Sequence, residues 1–217
     1  MLLALDTAGV NRTTVALLGP GGAAHGRSVA VSPAECLVPL TQELLREAGA
    51  DMAAVSSIAV GVGPGPYTGL RIGLAHAHAL AHALAVPLIG VSSLAAVAAT
   101  LDPGPARFVV ATDARRKEVF SALVVDDVLQ IETVAVGPAQ DVARDHPAVP
   151  VIGDGGQRYR DVFDAAGCAQ VQPTVDEATA LGAVAARALA DGGLPPFPAY
   201  LREPDAVAAP GFKPVMP

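Results

Sequence analysis

Gly61-Val62-Gly63-Pro64-Gly65-Pro66-Tyr67-Thr68-Gly69-Leu70-Arg71-Ile72-Gly73 is the stretch on which the fold of this chain turns. The apolar run at residues 57–62 has strand character, and residues 69–85 carry helical spacing, so the stretch sits at a strand-to-helix junction. Glycines at a helix N-terminus expose backbone N–H groups that can cradle an anion. The specific phosphate fingerprints fail, however: a dinucleotide loop needs Gly where Pro66 stands, and no Gly-Lys-Ser/Thr ending follows. Pro64 and Pro66 also remove two donors. The other reading is a rigid turn feeding a tightly packed helix.

Working outward, residues 2–6 and 13–18 read as buried strands, and Gly19-Pro20-Gly21-Gly22 punctuates a hairpin before a strand at 24–31. Ser32-Pro33-Ala34-Glu35 has the pattern of a capping box with Pro at the first helical position. Leu37, Leu40, Leu44, Leu45 and Ala48 then recur at helical spacing, and Gly49 stops the helix. A strand at 87–91 and a short helix at 92–100 follow the second helix. Residues 101–105 (Leu-Asp-Pro-Gly-Pro) mark a lobe boundary. Beyond it strands are predicted at 107–112, 118–125 and 128–136, the last two meeting at Asp126-Asp127. A weak helix at 139–145, a strand at 149–152 and an amphipathic helix at 176–190 complete the order, and the Pro-rich tail from Gly192 reads as irregular surface chain. Strands followed by alternating helices and strands, found twice, predict an α/β fold of two lobes, 1–101 and 102–217. Their mixed sheets, flanked by helices, would face each other across a cleft.

Composition narrows the function. Of the 217 residues 52% are hydrophobic and only 16% charged, which excludes a disordered chain. The formal charge is −7, Lys occurs only at Lys117 and Lys213, and aromatics are 4% with no Trp. Nucleic-acid binding by the chain alone is therefore not expected, because it needs clustered cations and stacking platforms. Two cysteines, Cys36 and Cys168, in so long a chain suit a reducing cytoplasm rather than a disulfide scaffold. The start Met1-Leu2-Leu3-Ala4-Leu5-Asp6 lacks the basic region and apolar length of an export signal. The apolar segment 74–91 is interrupted by His76, His78, His82 and Pro87, unlike the ~20 uninterrupted residues of a bilayer helix. A cytoplasmic protein without a membrane span is the expectation.

The junction also resembles the Gly-Pro-Gly-Ser-Phe-Thr-Gly-Leu-Arg-Ile-Gly signature of the TsaB family of tRNA threonylcarbamoyladenosine biosynthesis proteins, departing at Pro66 and Tyr67. Other landmarks of that family stand in order: Leu3-Ala4-Leu5-Asp6-Thr7, Gly90-Val91-Ser92-Ser93-Leu94, Asp113-Ala114-Arg115-Arg116-Lys117-Glu118-Val119-Phe120, Gly153-Asp154-Gly155 and Pro198-Ala199-Tyr200-Leu201-Arg202. Together they span the chain. The resemblance implies actin-like (ribonuclease H-like) lobes of the kind found in Hsp70 and sugar kinases. It implies a noncatalytic subunit that binds and organises the related catalytic subunit TsaD, alongside the ATPase TsaE. That complex makes threonylcarbamoyladenosine next to the anticodon of tRNAs reading ANN codons, so tRNA would meet this chain only through the complex. Where many relatives carry a His-containing run before the first helix, this chain has Ser32-Pro33-Ala34-Glu35-Cys36, with no His near the place where the catalytic relative holds metal.

Asp6 and Thr7, at the end of the first strand, occupy the place where kinases of this fold approach phosphate, and Asp113 is the matching position in the second lobe. Gly153, Asp154 and Gly155 resemble the loop on the adenosine side. Two facing carboxylates can hold Mg²⁺ through water, or can simply cap turns at strand ends. The resemblance implies a vestigial nucleotide cleft, with no cofactor held strongly by this chain alone and ATP with Mg²⁺ admitted in the complex. No catalytic or metal-ligating set is assigned: His78 and His82 lie one helical turn apart but lack a third ligand, and Ser92 and Ser93 lack a His or Asp partner and read as helix caps. The rival function from the same fold is an ATP-dependent small-molecule kinase or ATPase; a metallopeptidase fits less well. For the partner surface, Gly69, Gly73, Ala77 and Ala81 form a small-residue strip at i+4 spacing, beside an apolar stripe of Leu37, Leu40 and Leu44. These are expected to pack as a four-helix contact, in a homodimer when alone and with TsaD when it is present, unless the strip packs on the chain's own sheet.

Overall fold

The computed structural model describes residues 1–22 and 24–202. Its first lobe is a five-stranded sheet in the order β3-β2-β1-β4-β5, built from β1 (Leu2–Asp6), β2 (Thr13–Leu18), β3 (Ala24–Val29), β4 (Ser57–Gly63) and β5 (Leu88–Ser92). β1, β2 and β3 run antiparallel, whereas β4 pairs parallel with both β1 and β5. The period-2 alternation of strands gives the two faces different characters. Leu3, Leu5, Val15, Leu17, Ile58 and Val60 pack against helices α1 (Pro33–Glu47) and α2 (Tyr67–Leu84). The opposite face presents Leu2, Ala4, Ala16 and Ala59, and its small side chains let α3 (Ser93–Ala98) and α7 (Glu177–Asp191) lie close.

The second sheet repeats the plan in shorter form. β6 (Arg107–Asp113) and β7 (Glu118–Val125) form an antiparallel pair, β10 (Val151–Ile152) adds parallel to β6, and β8 (Val128–Leu129) and β9 (Ala135–Pro138) both pair with β7. Phe108, Val110 and Ile152 face Leu94 and Leu101 of the first lobe, while Val109 and Ala111 face α4 (Ala139–Asp145) and α6 (Arg160–Ala165) through Ala139, Ala143 and Phe163. The duplicated strand–hairpin–helix order read from the sequence is therefore present as two α/β lobes with mixed sheets.

Several expectations are corrected. The strand expected at 128–136 is broken by a turn of 3-10 helix at Ile131–Thr133, where the Thr133 hydroxyl accepts from the Leu123 amide and donates to the Gln130 carbonyl. The chain after β10 is helical, in α5 (Asp154–Arg158) and α6, where a Gly-rich loop was expected. Ser32 stands at the N-cap of α1 without a side-chain cap bond; its carbonyl accepts from the amides of Glu35 and Cys36 instead. Sequence order assigns α7 to the second lobe, but Ala178, Leu181 and Ala185 pack on the first sheet, and a Cβ on Gly26 of β3 would come within 2.5 Å of the Ala178 Cβ.

The small-residue strip of α2 also faces inward. Gly73, Ala77 and Ala81 are buried in the first core together with Leu37, Leu40 and Leu44 of α1. A Cβ on Gly69 would fall 2.4 Å from the Thr7 carbonyl oxygen, and one on Gly73 only 2.2 Å from the Thr7 hydroxyl. These seven positions therefore pack α1 and α2 on their own sheet and on each other. The reason is helix–sheet distance: bulk between α2 and the end of β1 would lift the helix off.

Candidate functional site

Between the lobes lies a cleft with two cavities, both lined by Gly9 of the β1–β2 loop. The inner one, about 140 Å³, holds Asp6, Ser93, Gly153, Asp154 and Glu177 in its lining. Asp6 sits where β1 ends, and its Oδ1 accepts from the Ala8 amide at 2.7 Å. Burial pushes its carboxyl above the usual carboxylate range, opposed by the hydrogen bonds from Ala8 and the Ser93 side chain. Gly61 leaves the room this carboxyl needs, since a Cβ there would stand 2.5 Å from the Asp6 Cγ. At the rim Arg12 reaches Glu177 at the start of α7 over 2.6 Å, and the Ser28 hydroxyl donates to the same carboxylate.

The structure brings Asp6, Gly153 and Asp154 to one cavity but does not add Thr7 or Asp113. Thr7 is buried and turned toward α2, where its hydroxyl donates to the Gly69 carbonyl at 2.8 Å. Asp113 is buried within the second lobe. Its Oδ1 accepts from the Arg115 amide at 2.9 Å and from the Tyr159 hydroxyl at 3.4 Å, and its Oδ2 lies 3.6 Å from the Arg158 Nε. Asp154 turns inward, accepting from the Asp113 amide at 3.0 Å. Gly153 (φ +111°) and Gly155 let α5 press on β6, where Cβ atoms would meet Ala111 and Thr112 backbone at 2.3 and 2.7 Å. The Thr7 hydroxyl and the Asp113 carboxylate are thus engaged with this chain's own amides and side chains and do not line the inner cavity. Among the described residues no three His, Cys, Asp or Glu side chains group in a way that suits a metal ion. His78 instead places its Nε2 2.8 Å from the Pro196 carbonyl oxygen.

The junction that opened the sequence reading behaves as a packed turn. Gly65 lies against the backbone of Ala8, Gly69 and Gly73 against Thr7, and Gly63 (φ +103°) against Leu70. Its outer side lines the second cavity, about 530 Å³, with Tyr67, Thr68, Arg115, Arg116, Tyr200 and Arg202. Here sequence reasoning missed a cluster. The Tyr67 and Tyr200 rings stack with centroids 4.3 Å apart, and the Arg71 Nε donates to the Tyr200 hydroxyl at 3.0 Å. Arg202 pairs with Glu118, and its carbonyl accepts from the Tyr67 hydroxyl. The available signal was the landmark run Pro198–Arg202 and the signature residues Tyr67 and Arg71, which no local spacing links to one another.

Outward, α1 exposes Val38 and Pro39 beside the polar Glu35, Gln42, Glu43, Arg46 and Glu47, and α2 exposes Ala75, Ala79 and Ala83 beside Thr68, Arg71, His78 and His82. No helix among the described residues is long and apolar enough to cross a membrane.

Residues 28–155 match the family described as TsaD: tRNA N6-adenosine threonylcarbamoyltransferase. A protein of Mycobacterium tuberculosis is 36% identical over 212 residues, covering 94% of this chain and 93% of that one. The Escherichia coli tRNA threonylcarbamoyladenosine biosynthesis protein TsaB is 36% identical over 124 residues, 56% of this chain and 53% of its own length. Among solved structures, YeaZ from Pseudomonas aeruginosa superposes with a TM-score of 0.76 at 31% identity, over 92% of this chain and 99% of that one. Doubled actin-like lobes, the junction signature and similarity over nearly the whole length converge: the chain belongs to the TsaB (YeaZ) family, within the wider relationship that includes TsaD.

Proposed function

We propose that this chain is a noncatalytic subunit of the system that forms threonylcarbamoyladenosine in tRNA, binding and organising a TsaD-type transferase. Membership of the TsaB family supports the pathway. The observation that carries the noncatalytic role is the engagement of Thr7, Asp113 and Asp154 with partners inside the chain. Thr7 and Asp113 are turned away from the inner cavity and the Oδ1 of Asp154 is taken by a backbone amide, which leaves few of the expected groups to aim at a substrate. On this reading a TsaE-type ATPase completes the complex in the cytoplasm, and the tRNAs are those that read ANN codons. They are held by the partners rather than by a chain of net charge −7. ATP with Mg²⁺ belongs to the assembled complex, and the chain alone forms a homodimer.

The contact surface is the outward face of α1 and α2, whose Ala75, Ala79 and Val38 are exposed and small enough for close helix approach. The test is reconstitution with the TsaD-type and TsaE-type proteins of the same organism. Ala75→Arg and Ala79→Arg are expected to keep the wild-type circular dichroism and melting while losing co-elution and tRNA modification; wild-type affinity in either would place the contact elsewhere. Asp113→Asn and Asp6→Asn, where folded and assembled, should keep modification within a few-fold. A loss of about 10³, the scale of a missing general base or metal ligand, would mark an active site. Steady ATP turnover by the chain alone would favour the kinase reading.

A further inference from the structure

Two of the covalent crossings between the lobes run side by side at one end of the cleft. Residues 101–106 lead into β6 and residues 171–176 lead back to α7. They are tied together by the Thr174 and Val175 amides donating to the Thr100 carbonyl, at 2.8 and 3.0 Å, and by the Asp102 amide donating to the Thr174 hydroxyl, at 2.8 Å. Thr100 and Pro173 line the inner cavity, so the hinge lies behind it. Adjacent crossings of this kind define an axis about which two lobes can swing.

The opposite end is spanned by the segment after α7. Leu194 exchanges two backbone hydrogen bonds with Gly90 on the edge strand β5, at 2.7 and 2.9 Å, and the Ala199 amide donates to the Val62 carbonyl at 2.8 Å. The segment crosses the first turn of α2, where Tyr200 stacks on Tyr67, and by Arg202 reaches the second lobe. There Arg202 pairs with Glu118 and its Nη1 donates to the Ala114 carbonyl at 3.4 Å. Residues 192–202 therefore begin on the first lobe and finish on the β6–β7 turn of the second, at the mouth of the larger cavity.

We propose that this segment is a latch: Arg202, held on the first lobe by Tyr67 and Tyr200, clamps Glu118 and Ala114 and so sets how far the lobes open about the 101–106/171–176 hinge. Both charged partners are partly buried, with side chains 26% and 31% exposed, so the pair is shielded from full solvent screening. The Tyr67–Tyr200 stack restricts the approach of Arg202, lowering the ordering cost of closing the clamp.

Spin labels at Asp51→Cys in the first lobe and Glu132→Cys in the second, both exposed, report the opening by electron–electron distance measurement. The background carries Cys36→Ser and keeps Cys168, which is buried. The labelled parent is expected to give one narrow distance. Arg202→Glu is expected to broaden and lengthen it, and to raise hydrogen exchange at the Ala199 amide by about tenfold or more while Val110 in β6 stays protected. Arg202→Glu combined with Glu118→Arg should return the narrow distance. Tyr200→Ala, which leaves the ion pair in place, should broaden it too. A folded Arg202→Glu protein with the parent distance and parent Ala199 exchange overturns the proposal, as does a charge swap that restores neither.

Discussion

Gly73→Ala isolates the contact that seats α2 on the first sheet. Gly73 is helical and carries no positive φ, so the backbone accepts alanine, and intrinsic propensity favours the change by about 1 kcal/mol. Packing opposes it. The new Cβ would lie 2.2 Å from the Thr7 Oγ1, 3.1 Å from its Cγ2 and 3.2 Å from its Cβ. Thr7 cannot swing aside freely, because its hydroxyl is bonded to Gly69 in a buried site. Relief requires the helix to lift by more than an ångström or the threonine to give up that bond. Overpacking of this kind costs about 1–3 kcal/mol and the lost bond about 1 kcal/mol, so the net is roughly 1–3 kcal/mol of destabilisation after the propensity gain. Urea unfolding followed by circular dichroism should show a midpoint about 1 M lower with an unchanged slope. Thr7→Ala in the same chain removes the clashing oxygen and methyl, so the double variant should be less destabilised than the sum of the singles by about 1 kcal/mol or more. A Gly73→Ala protein as stable as the parent, or strict additivity, would refute this account of the seat.

Three further outcomes are expected. Gly153→Ala combines a φ of +111° with a Cβ 2.3 Å from the Ala111 carbonyl oxygen, and should lose about 2–4 kcal/mol in the same urea assay. Asp6 has its folded-state pKa raised by burial, so the native chain holds this proton more tightly than the unfolded one, and stability falls as pH rises from about 4 through the raised value. Asp6→Asn should remove that dependence, the variant gaining on the parent as pH rises above about 4 in parallel denaturation series; a constant difference would contradict the burial penalty. The isolated chain should give no gel shift with tRNA at low-micromolar protein and physiological salt, given its −7 charge and two lysines.

Elements whose signal is periodic were legible in the sequence. β1, β2, α1, α2 and α7 carry long apolar patterns that tertiary contacts only confirm, and the repeated order of strands and helices gave the two-lobed α/β architecture. α5 was not legible, because Asp154-Gly155-Gly156 has no apolar stripe and weak intrinsic helix preference. It is helical because its glycines let it press against the backbone of β6. The facing of Gly69, Gly73, Ala77 and Ala81 was undecidable from spacing, since a smooth strip serves a partner helix and the chain's own sheet equally well. Only the position of Thr7 at the end of β1 separates the two. Within the cleft, Asp6 was located by its place at a strand end and Asp154 by the resemblance of its loop to the adenosine side of the fold. That Thr7 and Asp113 point into their own lobes depends on Gly69 and Arg158, which no local pattern links to them.

The return of α7 to the first sheet has a consequence for synthesis. The sheet face formed by Leu2, Ala4, Ala16 and Ala59 has one of its two covering helices, α3, directly after β5 and the other, α7, at Glu177–Asp191, the whole second lobe later in the chain. At ~5–20 residues per second, translation from residue 101 to residue 191 takes roughly 5–20 s. During that interval an N-terminal lobe already able to pair its strands carries only α3 on this face and leaves the part that α7 covers open to solvent. A product halted before Glu177 would keep the α7 footprint uncovered permanently, so truncation should yield aggregation rather than a free-standing half. Emergence of α7, and not completion of either sheet, is the event that covers this face.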